Sequence, residues 1–282
     1  MKIKLPEELA NKKINLVAEE PFFKSPEGEA IWAGKTCMWM RATGCSLSCA
    51  WKNNDGSVSL CDTPFSSHIP SSYVVTVQEA YDRLMDGDHN YVSISGGEPT
   101  VQPVIFELIN FLEESGKQVK FESNGTAFIP SKASMACISP KLGTSAIGLL
   151  SLADPTFFDQ DNNNFLKTED FAARAERYKK LYERHERKRY NPEVLKQIMN
   201  HYGPDDYIFK FVVNTEEDMK EINEKYVEAL NIPSKNVWLM PQGISSEHLQ
   251  AKAAWVIELC KKYNYNYTDR LHIRIYGNKI GV

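Results

Sequence analysis

Tyr91-Val92-Ser93-Ile94-Ser95-Gly96-Gly97-Glu98-Pro99 reads as a short apolar strand that runs directly into two glycines, an acid and a proline. Glycines at the carboxyl end of a strand let a ligand come close to the backbone and expose its amide groups. Pro99 suits the opening of the helical segment that follows. That segment, Pro103 to Ser115, carries Val104, Leu108, Phe111 and Leu112 on one apolar face. Working outward, strand-like runs at Thr36 to Arg41, Gln118 to Glu122, Met135 to Ser139, Tyr207 to Val213, Val237 to Met240 and Leu271 to Tyr276 are separated by helical patterns. The helices are expected near Val77 to Met85, Glu216 to Ala229 (with Thr215 as a start signal) and Glu247 to Tyr263. Alternating units of this length predict an α/β fold with a parallel sheet covered by helices.

The chain has 282 residues, 42% hydrophobic and 25% charged, with 33 basic against 37 acidic side chains. That is ordinary globular usage and excludes a highly charged disordered class or a strongly basic nucleic-acid surface. No apolar run reaches the roughly 18 residues needed to span a bilayer. The start, MKIKLPEELANKKINL, lacks the apolar core of a secretory signal, so a cytoplasmic protein is expected. One stretch breaks the alternation. Residues 152–206 hold DQDNNNF and then the charged run TEDFAARAERYKKLYERHERKRYNPEV, with acids at its start and bases at its end. This predicts a charged, mostly helical insertion, solvated except for a modest face of Tyr178, Leu181 and Tyr182.

Three of the six cysteines, Cys45, Cys49 and Cys61, fall within 17 residues. A disulfide scaffold needs a small, cysteine-dense secreted chain, so the cluster points to metal or redox chemistry. Three thiolates suit a cubane iron–sulfur cluster with one open iron; the lesser alternative is a Cys3His zinc site with His68, in a zinc-stabilised interaction protein. The cysteine trio followed by a strand ending in GGEP favours the first. Cys37, Cys137 and Cys260 read as small buried hydrophobes.

In this order EEPFFKSPEGEA, MRATGC, CDT, SISGGEP, FESNGT, ISPK and HIRIYGNKIGV resemble the radical S-adenosylmethionine (SAM) superfamily, and within it the 7-carboxy-7-deazaguanine synthase family. CDT, ESNGT and SPK separate that family from generic members, including activating enzymes for glycyl-radical proteins, which remain the alternative enzyme class. The chain departs from the usual CxxxCxxC spacing, because KNNDGSVSL stands between Trp51 and Cys61. Residues 50–60 therefore read as an inserted loop in a single domain spanning residues 1–282. Pro26 and Glu27 stand where Leu-Gln is common, and Ser95 and Ser123 replace common threonines.

The resemblance implies an incomplete or modified (β/α) barrel with its site at the carboxyl ends of the strands. It implies a [4Fe-4S] cluster on Cys45, Cys49 and Cys61, and SAM held by Gly96, Gly97, Glu98, Glu122, Asn124, Ser139, Pro140 and Lys141. Thr63 would offer a hard oxygen to Mg2+. Pro26, Glu27, Gly28, Arg41 and Ser95 would contact the substrate, with the Arg41 guanidinium suited to a carboxylate. His272 matches a family position without an assigned role. The implied activity is a carbon–nitrogen lyase reaction, conversion of 6-carboxy-5,6,7,8-tetrahydropterin to 7-carboxy-7-deazaguanine with loss of ammonia. The implied partners are the pterin, an external donor such as flavodoxin or ferredoxin, and a second copy in a homodimer, with no membrane and no direct nucleic acid.

Overall fold

The computed structural model describes residues 2–53, 55–154, 171–277, 279 and 281. Its strands are β1 (Lys13–Leu16), β2 (Phe22–Pro26), β3 (Thr36–Ala42), β4 (Ala50–Lys52), β5 (Val58–Leu60), β6 (Tyr73–Thr76), β7 (Tyr91–Gly96), β8 (Gln118–Ser123), β9 (Met135–Ile138), β10 (Tyr207–Val213), β11 (Val237–Pro241) and β12 (Asn266–Tyr267). The helices are α1 (Glu7–Ala10), α2 (Pro64–Ser67), α3 (Val77–Met85), α4 (Val104–Glu114), α5 (Thr144–Ala153), α6 (Phe171–Lys188), α7 (Pro192–Tyr202), α8 (Glu216–Glu221), α9 (Ser246–Tyr263) and α10 (Leu271–Tyr276).

The main sheet runs β12-β11-β10-β9-β8-β7-β3-β1-β6, with β2 also paired to β3. From β12 to β3 every pairing is parallel; β1, β2 and β6 join antiparallel. Among the described residues the two ends do not pair, so the sheet stays open. The parallel strands are built for burial: Tyr207-Ile208-Phe209-Lys210-Phe211-Val212-Val213 is buried at every position but Val212. Strand alternation then divides its side chains. Phe209, Phe211 and Val213 join Ile94, Phe121, Ile138 and Leu239 in the core under α3, α4, α7 and α9. Lys210 and Val212 face the other way, into a cavity shared with Trp39, Arg41, Ser95 and Glu122.

Local signals set several boundaries. Thr76 Oγ1 accepts from the Glu79 amide at 3.0 Å, while Glu79 accepts from the Thr76 amide at 2.6 Å, a capping box that starts α3. Asp218 does similar work before α8, accepting from the Asn214 and Thr215 amides. The helix expected over Glu216 to Ala229 is α8 continued by a π-helical turn, Ile222–Glu228. The DQDNNNF stretch and the acids expected at the start of the charged helix lie outside the described residues. No helix among the described residues is long and apolar enough to cross a membrane.

One expected strand is wrong. Leu271, Ile273 and Ile275 alternate like a strand face, yet Leu271–Tyr276 is helical, with Ile273 buried and Leu271 and Ile275 exposed. The Leu271 amide donates to the Gly28 carbonyl, and Arg270 is anchored by ion pairs, so tertiary contacts override the period-2 pattern. The β12 pair Asn266–Tyr267 takes the sheet edge instead. Leu112 is fully buried where α4 meets the sheet. Leu112→Ala is expected to lower unfolding free energy by about 2–5 kcal/mol in a denaturant titration.

Candidate active site

At the carboxyl ends of the parallel strands, Trp39, Arg41, Cys45, Cys49, Cys61, Thr63, Ser95, Glu122, Ser139, Lys141, Lys210 and Met240 line one cavity. The cysteine segment leaves β3 through Gly44 and is tied down at its start by backbone hydrogen bonds. The Glu98 amide donates to Gly44 O at 2.9 Å, the Gly97 amide to Ala42 O at 3.1 Å, and the Gly44 amide to Ser66 O at 2.9 Å. A Cβ on Gly97 would stand 2.1 Å from the Gly44 carbonyl oxygen, which is why this position must be glycine. The GGEP amides were expected to face a ligand; those of Gly97 and Glu98 instead hold the cysteine segment.

Glu98 is fully buried and does not line the cavity. Its carboxylate accepts from Thr100 N and Oγ1, Ser123 Oγ and the Asn124 amide, fixing the end of β8 to the end of β7. Asn124 in turn reaches Ser46 Oγ at 2.9 Å and Cys45 Sγ at 3.8 Å. Cys61 N donates to Cys49 O at 3.0 Å, and Cys61 Sγ lies 3.4 Å from Thr63 Oγ1. Burial pushes the Cys45 thiol up to about 12, and the Cys49 and Cys61 thiols upward too. Burial thus favours the neutral thiols, and a metal held by them would have to displace their protons.

The Cys3His zinc alternative is not favoured. The His68 ring is within hydrogen-bond distance (2.9 Å) of the Cys49 carbonyl oxygen through Nε2, and no three His, Cys, Asp or Glu side chains among the described residues surround a single ion position.

Under the cavity runs a chain of buried charges. Lys120, with no exposed side-chain surface, pairs with Glu27 and, at 2.9 Å, with Glu122. Lys210 pairs with Glu122 at 3.3 Å and with Glu29. Arg270 Nε donates to Glu29 at 3.0 Å, its Nη1 donates to Gly243 O at 2.8 Å, and its Nη2 pairs with Asp62. Burial opposes ionisation of Glu122 and Asp62, but Lys120 and Lys210 hold the first, and Arg270 the second, down at about 2. Glu29 sits well below the usual carboxylate range because Lys210 and Arg270 outweigh its burial. His272 lies 4.0 Å from Glu29, and burial lowers its pKa, favouring the neutral ring.

Of the residues expected to contact SAM, Gly96, Gly97, Glu122, Asn124, Ser139 and Lys141 lie on the cavity wall; Glu98 and Pro140 do not. Lys141 Nζ donates to Ser139 O and Oγ. Of the expected substrate contacts, Arg41 and Ser95 line the cavity, whereas Pro26, Glu27 and Gly28 do not. Both Glu27 oxygens are engaged internally, one by the Gly28 and Glu29 amides, the other by Ser93 and Lys120. Sequence reasoning missed Glu29, Asp62, Lys210 and Arg270. The available signal was a lysine inside each of two mostly buried strands, since charges are almost never buried unpaired.

No family model matches the chain. A 7-carboxy-7-deazaguanine synthase of Rhodopirellula baltica is 29% identical over 259 residues, covering 92% of this chain and 86% of the relative. One of Halobacterium salinarum is 27% identical over 262 residues, covering 91% and 89%. Over nine-tenths of its length the chain is thus similar to proteins named 7-carboxy-7-deazaguanine synthase. The crystal structure of QueE from Escherichia coli matches with a TM-score of 0.56 at 16% identity, covering 95% of this chain and 100% of that one. That likeness is one of fold: the open, mostly parallel sheet of this chain matches the fold of that structure.

The depressed carboxylates make the fold acid-sensitive with a definite sign. Their stabilisation is present above the unfolded values near pH 4 and disappears as pH falls towards about 2. Denaturant midpoints measured from pH 5 to pH 2 should fall steeply in that window, and Asp62→Asn should flatten part of the slope.

Proposed function

We propose that this chain converts 6-carboxy-5,6,7,8-tetrahydropterin to 7-carboxy-7-deazaguanine with loss of ammonia, as a radical SAM lyase. Relatives bearing the synthase name align over nine-tenths of the chain. The observation that carries the reading at the site is the polarity of the cavity. Cys45, Cys49 and Cys61 line the cavity together with Arg41, whose Nε is buried and without a hydrogen-bond partner among the described residues. The guanidinium stacks over the Phe23 ring at 4.9 Å, and its unpaired Nε–H is free to meet an anionic group such as a carboxylate.

Cys45, Cys49 and Cys61 would hold a [4Fe-4S] cluster. Glu122, Asn124, Ser139 and Lys141 at the strand ends are the polar groups available to SAM, and Thr63 with its hydroxyl is the candidate Mg2+ ligand. When bound, the reduced cluster and SAM supply a hydrogen-abstracting radical, chemistry no side chain of the chain can provide. The protein's share is placement. Arg41 would take the substrate carboxylate, while Glu29 and Glu122, kept anionic by Lys210, Arg270 and Lys120, would accept from the amino and ring N–H groups of a pterin. Trp39, Trp51 and Met240 give the apolar walls that exclude water around the reacting carbon. The family resemblance further supplies an external donor such as flavodoxin or ferredoxin and a homodimer.

The test is an anaerobic assay of reconstituted protein with dithionite, SAM, Mg2+ and the carboxytetrahydropterin, read by mass spectrometry. 7-Carboxy-7-deazaguanine should form and should vanish in Cys61→Ala. Arg41→Met should raise KM about 10- to 100-fold, the worth of a charge-assisted hydrogen-bond pair. Cleavage of SAM to 5′-deoxyadenosine without any deazaguanine product would contradict the substrate assignment.

A further inference from the structure

The eleven residues between Cys49 and Cys61 fold back on themselves as β4 and β5. Ala50 pairs with Leu60, Trp51 with Ser59 and Lys52 with Val58, and the ladder is closed at its root by the Cys61 amide on the Cys49 carbonyl. The excursion therefore returns the third cysteine to the second. An isolated two-stranded hairpin is marginal in water, and a cysteine pair at its root would wander with it.

This hairpin is backed by helices. Ala50 and Val58 are buried in a cluster with Ala146, Leu149 and Leu152 of α5 and Tyr178 of α6, and Leu181 and Tyr182 pack onto the same cluster. The modest apolar face of an otherwise charged helix is thus applied to this spot. At Gly148 of α5 an added Cβ would stand 2.7 Å from the Ala50 carbonyl carbon and 2.9 Å from Val58 Cγ1. Two polar ties complete the arrangement: Arg184 Nη2 donates to Ser48 Oγ at 3.1 Å, beside Cys49, and His185 Nε2 meets Ser145 Oγ at 3.0 Å, joining α6 to α5.

We propose that α5 and the charged helix α6 form a brace for the inserted hairpin, with Gly148 and Arg184 as positioning residues that hold Cys49 and Cys61 ready for metal. The inference rests on the reading of the three cysteines as cluster ligands. It accounts for the two departures of this sequence together: the lengthened cysteine loop and the helical insertion fold onto each other, and preorganised ligands bind metal more tightly than ligands that must be gathered.

The experiment measures iron per chain after anaerobic reconstitution, the rate at which a chelator bleaches the cluster absorbance, and the Tm of the metal-free chain. It compares the parent with Gly148→Ala, Arg184→Ala, Arg184→Lys and Leu112→Ala. Gly148→Ala should bleach roughly tenfold faster, the scale on which overpacking against backbone acts. Arg184→Ala should show a smaller increase that Arg184→Lys largely restores. Leu112→Ala, distant in the main core, should lower Tm and keep its iron. Parent-like bleaching in Gly148→Ala overturns the brace, as does bleaching in Leu112→Ala that matches Gly148→Ala at the same loss of Tm. A parent that holds no iron overturns the cysteine reading and the brace with it.

Discussion

Arg270 is the residue through which the parts of this site meet. One fork of its guanidinium lies on Glu29 of the N-terminal motif, another on Asp62 beside Cys61, and a third donor on the Gly243 carbonyl after β11. From Glu29 the charges continue through Lys210 and Glu122 to Lys120 and Glu27, across strands β10 and β8. Burying such groups is costly, and replacing the whole set by apolar side chains would often leave a fold as stable or more so. Removing a single member, by contrast, strands a charge in the interior. The chain therefore functions as a fixed frame: every carboxylate in it is held ionised at neutral pH, or paired with a buried ammonium, before any ligand arrives. That is the preorganisation a site needs when its reactive chemistry is supplied by bound groups.

Much of the framework can be read directly from residue patterns. The apolar run of Tyr91 to Ser95, the amphipathic spacing of Val104, Leu108 and Leu112, and the lysine-interrupted strand at Tyr207 to Val213 announce parallel strands and a covering helix. The edges are harder. Strands β1, β2 and β6 are short and join antiparallel, and β1 finds its partner β6 some way along the chain. Leu271 to Tyr276 shows why a short alternating run is ambiguous: the anchoring of Arg270 and the Gly28 carbonyl decides for helix where periodicity points to strand.

The site divides along the same line. Cysteine spacing and GGEP announce a cavity at the strand ends, because their residue types have few other uses together. The roles within GGEP are a different matter. Gly97 and Glu98 give their amides to Ala42 and Gly44, and the Glu98 carboxylate ties β7 to β8, so the motif reaches a ligand mainly by positioning what does. Glu27, expected at the substrate, is enclosed by Lys120 and Ser93, while Glu29 two residues on faces the cavity. A one-dimensional motif cannot show which of two carboxylates a buried lysine will claim.

The most direct test of this account is to measure, on one preparation of Arg270→Lys, both the iron retained after reconstitution and the equilibrium affinity for the pterin. Lysine keeps the charge but loses the planar fork that reaches Asp62 and Glu29 at once. A bridge between the cysteine segment and the N-terminal motif predicts that both quantities fall together. Loss of one with the other at the parent value would show that the two ends of the cavity are held independently.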